Sequence, residues 1–298
     1  MTPPELSREV GPGVMPEVPE VAVRVSALTA YPVKSMAGVD LGAAVVEEQG
    51  LRGDRRWAVV DPDGTKVTAR EEHALLALRA EPTEGGGVRL LAPGGDAVDV
   101  AVPLGAASVR VGFSGQDRAL PAGPAADAWL SDRVGRALRL VWQGDTVRPI
   151  RDDLGGQDGD RNSLSDAAPL HVTSESSLQR LRDWMLETAV ERGEEPAEPL
   201  GHDRFRPNVV IEGAEPFAED GWRSVRIGDV PFRVTMVCDR CVMTTVDRAD
   251  LSTAKEPIRT LARHRRWEGA TWFGIRLTPV LPLAGGAVIR VGDAVAPG

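Results

Sequence analysis

Residues 224–247 read SVRIGDVPFRVTMVCDRCVMTTVD, and this stretch decides the fold class. Apolar and polar side chains alternate on either side of Gly228-Asp229. A repeat of two is the strand repeat, and a Gly-Asp pair supplies the backbone freedom of a tight hairpin turn. The second arm leads to Cys238 and Cys241, the only two cysteines in the chain. A thiolate is the one soft, strongly nucleophilic ligand that the chain can offer, and both thiols stand close to arginines that favour it. The chemistry of the protein is therefore expected here.

Working outward, the same texture recurs. Residues 23–33, 39–50 and 55–70 are short β-like runs, expected to form one antiparallel unit, with Pro62-Asp63-Gly64 as a hairpin turn. Further strands are expected within 88–93, 97–103, 107–113, 138–142, 169–174, 208–213, 272–281 and 287–295. The run VMTTVD after Cys241 is β-branched and also reads as strand. Helices are expected over 71–79, 125–137, 175–192 behind a Ser174 N-cap, and 258–265. In the third of these, Leu178, Leu181, Met185 and Ala189 share one face. Many short strands with few helices give an α+β, predominantly β fold, a closed or partly closed barrel with helical decorations. Residues 1–20 are rich in proline and poor in large apolar groups, too little to offset the entropy of ordering, and read as a disordered tail. The polar, glycine-rich stretch 143–168 is either a linker or a loop ordered by a ligand.

Composition bounds the function. With 298 residues, 42% hydrophobic and 27% charged, the length favours about two domains. A formal charge of -9 argues against a general nucleic-acid binder, which needs a basic face, but leaves room for a local basic pocket. No membrane partner is expected, since no 18 apolar residues run together, and the first residues match neither a secretory signal nor a transit peptide. A cytoplasmic location follows, where both cysteines stay thiols. Only three lysines (Lys34, Lys66, Lys255) stand against thirty-two arginines, so a lysine at a motif position is less expected by chance.

The pair Cys238 and Cys241 has several readings. A structural zinc site needs four ligands, and His73, His171, His202 and His264 provide no second ligand pair. A thioredoxin-type pair sits where a strand opens into a helix, which the strand-like VMTTVD opposes. Both could simply be small buried hydrophobes. If the backbone stays extended, a separation of three puts the two thiols on opposite faces, so that one alone faces a given pocket. Arg240, Arg204 and Arg206 bring positive charge that would lower a thiol pKa.

Longer motifs add to this. The runs RFRPNVVIEGAEPFAEDGW and CDRCVMTTVD, the closing FGIRL and IRVGDAV, and the upstream YPVKSMAGVDL, GLRGDRRWAVVD and TAR resemble the MOSC family, in particular its amidoxime-reducing members and their bacterial counterparts, in order from about Val25 to Val295. The resemblance implies a smaller N-terminal α/β region over 21–142, whose first strands complete the barrel, and a MOSC β-barrel domain over 143–298. It implies a molybdenum cofactor, a pyranopterin carrying a phosphate, with Cys241 as the metal ligand and Cys238 as a structural neighbour. Lys34, Ser35, Arg55, Arg206 and Asn208 match positions that hold the pterin and its phosphate. An anionic phosphate suits a lysine point charge and an arginine fork. Asp166 matches an aspartate near the metal and is the candidate proton donor, although Ala167 and Ala168 follow it where hydroxyl residues are expected. Asp54 reads as a turn or ion-pair residue.

The expected activity is reduction of small N-hydroxylated substrates such as amidoximes and hydroxylamines. Two cysteines cannot build an iron-sulfur cluster, so electrons would come from a separate flavin reductase, ferredoxin or haem protein. The alternative is a sulfur carrier, or a cofactor carrier or insertion protein, using Cys241.

Overall fold

The computed structural model describes residues 22–145, 148–283 and 285–298; the tail expected over 1–20 lies outside them. The described residues form a predominantly β structure with three α-helices, α1 (Pro124–Val134), α2 (Glu175–Arg192) and α3 (Ile258–His264). None of these is long and apolar enough to cross a membrane.

The main sheet runs in the spatial order Val39–Leu41, Arg24–Ala30, Val209–Glu212, Leu170–Ser174, Ala270–Pro279, Val230–Arg240, Ser224–Ile227 and Val295–Pro297, with Arg266–Trp267 paired to the start of Ala270–Pro279. Neighbours are antiparallel except Leu170–Ser174 and Val209–Glu212. A parallel pair cannot be joined by a tight turn, and α2 lies in the connection between these two strands. The sheet curls until its margins touch: Arg24 bridges Ala294, and the Val25 N–H donates to the Asp293 carbonyl at 2.9 Å. Inside the curl lie Val25, Leu28, Val172, Ile211, Phe232, Ile275 and Leu277, all buried. A second core, with Val33, Trp57, Leu75, Leu90, Leu130 and Leu140, lies among a five-stranded sheet, a three-stranded sheet and α1. The buried stripe of α2 includes the four residues its periodicity gave, Leu178, Leu181, Met185 and Ala189. Leu178, Leu181 and Met185 cluster with Leu261, Phe205 and Phe273.

Several local expectations are corrected. The three N-terminal runs do not form one unit. Arg24–Ala30 and Val39–Leu41 belong to the main sheet, Ala43–Glu47 pairs with Val288–Arg290, and Trp57–Val60 pairs with Arg139–Trp142. Local alternation specifies a strand but not its partner. Residues 287–295 are not one strand, because a turn at Gly292 separates Val288–Arg290 from Val295–Pro297 in different sheets. The helix expected over 71–79 is a single 3-10 turn, His73–Ala77. Ser174 precedes α2 but does not cap it through its side chain; its hydroxyl pairs with that of Ser176 at 2.7 Å. The run after Cys241 is also a 3-10 turn, Val242–Thr245. There Thr244 and Thr245 bond back to the Cys241 and Val242 carbonyls at 3.0 and 2.7 Å, a local alternative to the strand ladder.

The pairing of Val230–Arg240 with Ala270–Pro279 is irregular in two places. Thr235 is extra on one strand between the pairs Val234↔Leu277 and Met236↔Arg276. Phe273 and Gly274 together oppose Cys238 between Val237↔Ile275 and Asp239↔Trp272. Gly274 takes a φ of +77°, and a Cβ there would meet the Val172 carbonyl at 2.5 Å and His171 Nε2 at 2.7 Å. Only glycine suits both the conformation and the close approach.

One buried acid reports on stability. Glu219 is fully buried and accepts from Ser177 Oγ at 2.8 Å. Burial pushes its carboxyl up to about 7. The folded state then keeps a proton that the unfolded chain has released, so stability falls as pH rises through about 4.5 to 7, by up to about 3 kcal/mol. Glu219→Gln should flatten that slope in urea titrations between pH 5 and 8; an unchanged slope would place the proton elsewhere.

Candidate functional site

A carboxylate with no access to water organises the site. Asp54 is 1% exposed and accepts from the Tyr31 N–H at 2.8 Å, Arg55 Nη1 at 2.7 Å and Asn208 Nδ2 at 3.0 Å. It is an ion-pair residue, as its sequence context suggests. Asn208 in turn accepts from Arg55 Nη1 at 3.0 Å and donates to the Thr29 carbonyl at 3.1 Å. Arg206 and Arg55 both lie over the Tyr31 ring, 4.3 and 4.4 Å from its centroid. Cations on an aromatic face gain from its quadrupole, the more so when desolvated. Ser35, Arg55 and Arg206 hold φ values of +74°, +48° and +56°. Non-glycine residues pay about 1–2 kcal/mol for such backbone and keep it only where surrounding contacts dictate it.

Above this knot lies a cavity of about 350 Å³. Lys34, Ser35, Arg55, Asp166, Arg206, Asn208 and Cys241, from five separate stretches of chain, all line it. Lys34 Nζ donates to the Leu164 carbonyl at 2.8 Å and pairs with Asp166 Oδ1 at 2.5 Å. Ser35 Oγ accepts from the Ala69 N–H at 3.0 Å, which fixes the next stretch of wall. Ala167 and Ala168 are buried lining residues without hydroxyls, as their sequence requires. Arg206-Pro207 does not start an edge strand, because Val209–Glu212 is flanked on both sides.

Both cysteines line the cavity, against the expectation that only one would. Asp239 and Arg240 line it as well, because the strand ends at the cavity rim and side chains of either face reach it. The two thiols differ in setting. Cys241 is half-buried at the start of the Val242–Thr245 turn, with Arg70 Nη2 3.9 Å from its sulfur. Cys238 is 4% exposed and accepts from Arg240 Nη1 at 2.8 Å. Burial pushes the Cys238 thiol up, but Arg240, His171 and Arg276 outweigh it, so the thiol lies well below its ordinary value. Burial lowers the pKa of the His171 imidazole, whose Nε2 lies 3.4 Å from Arg240 Nη1.

The remaining charges favour an anion. Lys34, pulling first, with Arg70 behind it, holds the Asp166 carboxyl far below the usual carboxylate range, although the side chain is 57% exposed and partly screened by water. Burial pulls the Arg206 guanidinium down to about 10, and Asp54, the carboxylate acting on it, is committed to Arg55. Arg206 Nη1, Arg240 Nε and Arg248 Nε are buried donors without a partner among the described residues. Desolvated donors of this kind carry a cost that an anionic guest removes. No cluster of three or more His, Cys, Asp or Glu suited to a metal occurs among the described residues, so a metal entering here would rest on a thiolate and its own carrier. Sequence reasoning missed Arg70, His171 as a cavity residue, and Arg276. The quoted runs TAR and FGIRL contain two of them, but nothing in the local pattern aims them inward.

The Cys238 assignment is testable. Arg240→Gln removes the first of the cations that together outweigh burial, so the thiol pKa should rise and alkylation of Cys238 by iodoacetamide at pH 7, followed by peptide mass spectrometry, should slow about tenfold. Equal rates would show that Arg240 does not govern the thiol.

Comparison with known proteins identifies the family. The MOSC N-terminal beta barrel domain model matches residues 22–137 and the MOSC domain model matches residues 159–296. The chain is 31% identical over 289 residues to mitochondrial amidoxime-reducing component 1 of Xenopus laevis, covering 91% of this chain and 81% of the relative. The corresponding protein of Homo sapiens is 31% identical over 261 residues, covering 81% of this chain and 72% of the relative. Molybdenum cofactor sulfurase of Danio rerio is 29% identical over 291 residues, which is 88% of this chain but only 34% of that relative. With both family models matched in order, and with relatives of this identity along most of its length, the chain belongs to the MOSC family.

Proposed function

We propose that the cavity holds a phosphate-bearing molybdopterin and that the protein reduces small N-hydroxylated compounds. The observation that carries this reading is the meeting, in one cavity, of the accessible Cys241 thiol with guanidinium N–H groups that have no partner among the described residues. When bound, the cofactor supplies the redox and oxygen-abstracting chemistry, and electrons come from a separate redox protein. The names of the amidoxime-reducing relatives support the substrate class.

The chain's own residues have distinct tasks. Arg206 and Arg55, fixed on Tyr31, present charge to the phosphate, Ser35 presents a hydroxyl to the pterin edge, and Asn208, its amide engaged by Asp54, Arg55 and the Thr29 carbonyl, holds Arg55 in place at the cavity wall. Cys241 offers its sulfur to the metal. Cys238 is engaged by Arg240 and is not a second ligand in this reading. Asp166, kept ionised by Lys34, is unsuited to donate a proton; it orients Lys34 and Arg70 at the cavity wall. The division into an N-terminal unit over 21–142 and a barrel domain over 143–298 belongs to the same proposal, as does a cytoplasmic location.

The match to a molybdenum cofactor sulfurase favours one alternative, in which Cys241 carries a persulfide or the cavity carries cofactor to another protein. Purified protein separates the readings. Molybdenum near one atom per chain, with benzamidoxime reduction driven by an artificial electron donor, supports the reductase; a persulfide without metal supports the carrier. Cys241→Ser should lose at least tenfold in both bound molybdenum and turnover, whereas Cys238→Ser should retain the metal. A Cys241→Ser protein with full molybdenum and activity would refute the ligand assignment.

A further inference from the structure

A second cavity, of about 200 Å³, is lined by Gln49, Arg56, Gln143, Arg148, Arg161 and Asn162, with Asp145 also in its wall. Three guanidiniums face it, and among the described residues two of them are paired only with carbonyls. Arg56 Nη2 donates to the Gly144 carbonyl. Arg148 donates to the carbonyls of Ser114, Ser163 and Ser165 at 2.6, 2.8 and 2.7 Å. Arg161 alone has a close carboxylate, Glu48, at 2.7 Å. Glu47 and Asp145 act on Arg56 only from farther away. Gln143 is 2% exposed; its Nε2 is used by the Asn162 carbonyl, but its Oε1 has no partner among the described residues, nor does Arg56 Nε. Two desolvated charges, an unpaired donor and an unpaired acceptor around one space lack a small polar guest with negative charge.

We propose that this cavity is a second site, for a small oxyanion that keeps a proton at neutral pH, such as phosphate, and that its occupant steadies the turn that carries Asp166. The size and charge favour a compact anion over a nucleotide or an extended carboxylate. A protonated oxyanion can accept from Arg56 and Arg161 and donate to Gln143 Oε1, which answers each unpaired atom. The link to the first cavity is covalent and short. Arg56 follows Arg55 of the main cavity, and Asn162 precedes Asp166 by four residues. Arg148 grips the carbonyls of Ser163 and Ser165 between them, and Ser165 Oγ is tied to Asn162 Oδ1. Burial depresses both Arg56 and Arg148, so an anion that relieves them would tighten the same turn. The site does not depend on what the main cavity binds.

Calorimetric titration of the full chain with inorganic phosphate at low salt tests it. Because the main cavity is also cationic, Arg206→Gln serves as the background that weakens binding there. Arg206→Gln should still take up one phosphate per chain, and adding Arg56→Gln should weaken that uptake at least tenfold. Sulfate, which has no proton to donate to Gln143 Oε1, should bind more weakly than phosphate. Failure of Arg206→Gln to bind phosphate, or binding unaltered by Arg56→Gln, would overturn the proposal. Should the double variant not fold, Arg206→Gln with Arg161→Gln, at the more exposed wall, is read in the same way. Hydrogen exchange supplies the second half: phosphate should slow amide exchange across 161–166 in Arg206→Gln, and unchanged exchange there despite binding would overturn the coupling to Asp166.

Discussion

The buried Asp54 carboxylate is the constraint from which the site follows. A charge this deep persists only if its oxygens are fully engaged, and breaking such an arrangement by removing one partner typically costs about 3–5 kcal/mol. Its partners come from Tyr31, Arg55 and Asn208, which belong to stretches far apart in sequence. Satisfying one anion therefore holds three segments in register. The left-handed backbone of Arg55 and its neighbours is the local cost of that arrangement.

Charge is distributed unevenly on top of this frame. The protein is acidic overall, yet the cavity of the candidate site collects Lys34, Arg55, Arg70, Arg206, Arg240 and Arg276. Low local dielectric makes each of these count for more than it would at the surface. The chain neutralises some of them internally, with Asp54 on Arg55, Asp166 on Lys34, Asp239 on Arg276 and the Cys238 sulfur on Arg240. Arg206 is left for a guest. A negative overall charge with a concentrated positive cavity favours a small anion over a polyanion, as the proposed function requires.

Much of the fold was legible because its signals are local. Alternation around Gly228-Asp229 marks the hairpin, and the spacing of Leu178, Leu181 and Met185 marks α2. Pro62-Asp63-Gly64 also turns as its residue types dictate, with Asp61 Oδ1 accepting from the Asp63 and Thr65 N–H groups. Strand partners were not legible, since residues 23–70 alternate much alike and yet divide among three sheets. The run after Cys241 misled because β-branched composition favours strand, while hydroxyl groups bonding backward favoured a turn. In the site, the seven motif residues converge on one cavity, but their roles stay a proposal. Arg70, His171 and Arg276 were invisible as cavity residues, because inward direction depends on strand ends and bulges that no local pattern encodes.

Those bulges have a consequence for how the protein tolerates change. Thr235 opens a one-residue slip between the two longest strands of the main sheet, and the Phe273-Gly274 pair closes it again, so the ladder is in step at both ends and out of step only between. The pairing behaves like a reading frame with an insertion and its suppressor. Loss of either extra residue alone would carry the slip onward and exchange the faces of every side chain beyond it, including those that reach the rim at Cys241. Loss of both would restore a continuous ladder and change only the patch that contains Arg276 and Cys238. Length can therefore change within this strand pair without a slip only by matched changes, and the surroundings of one thiol can be remodelled while the other stays where it is.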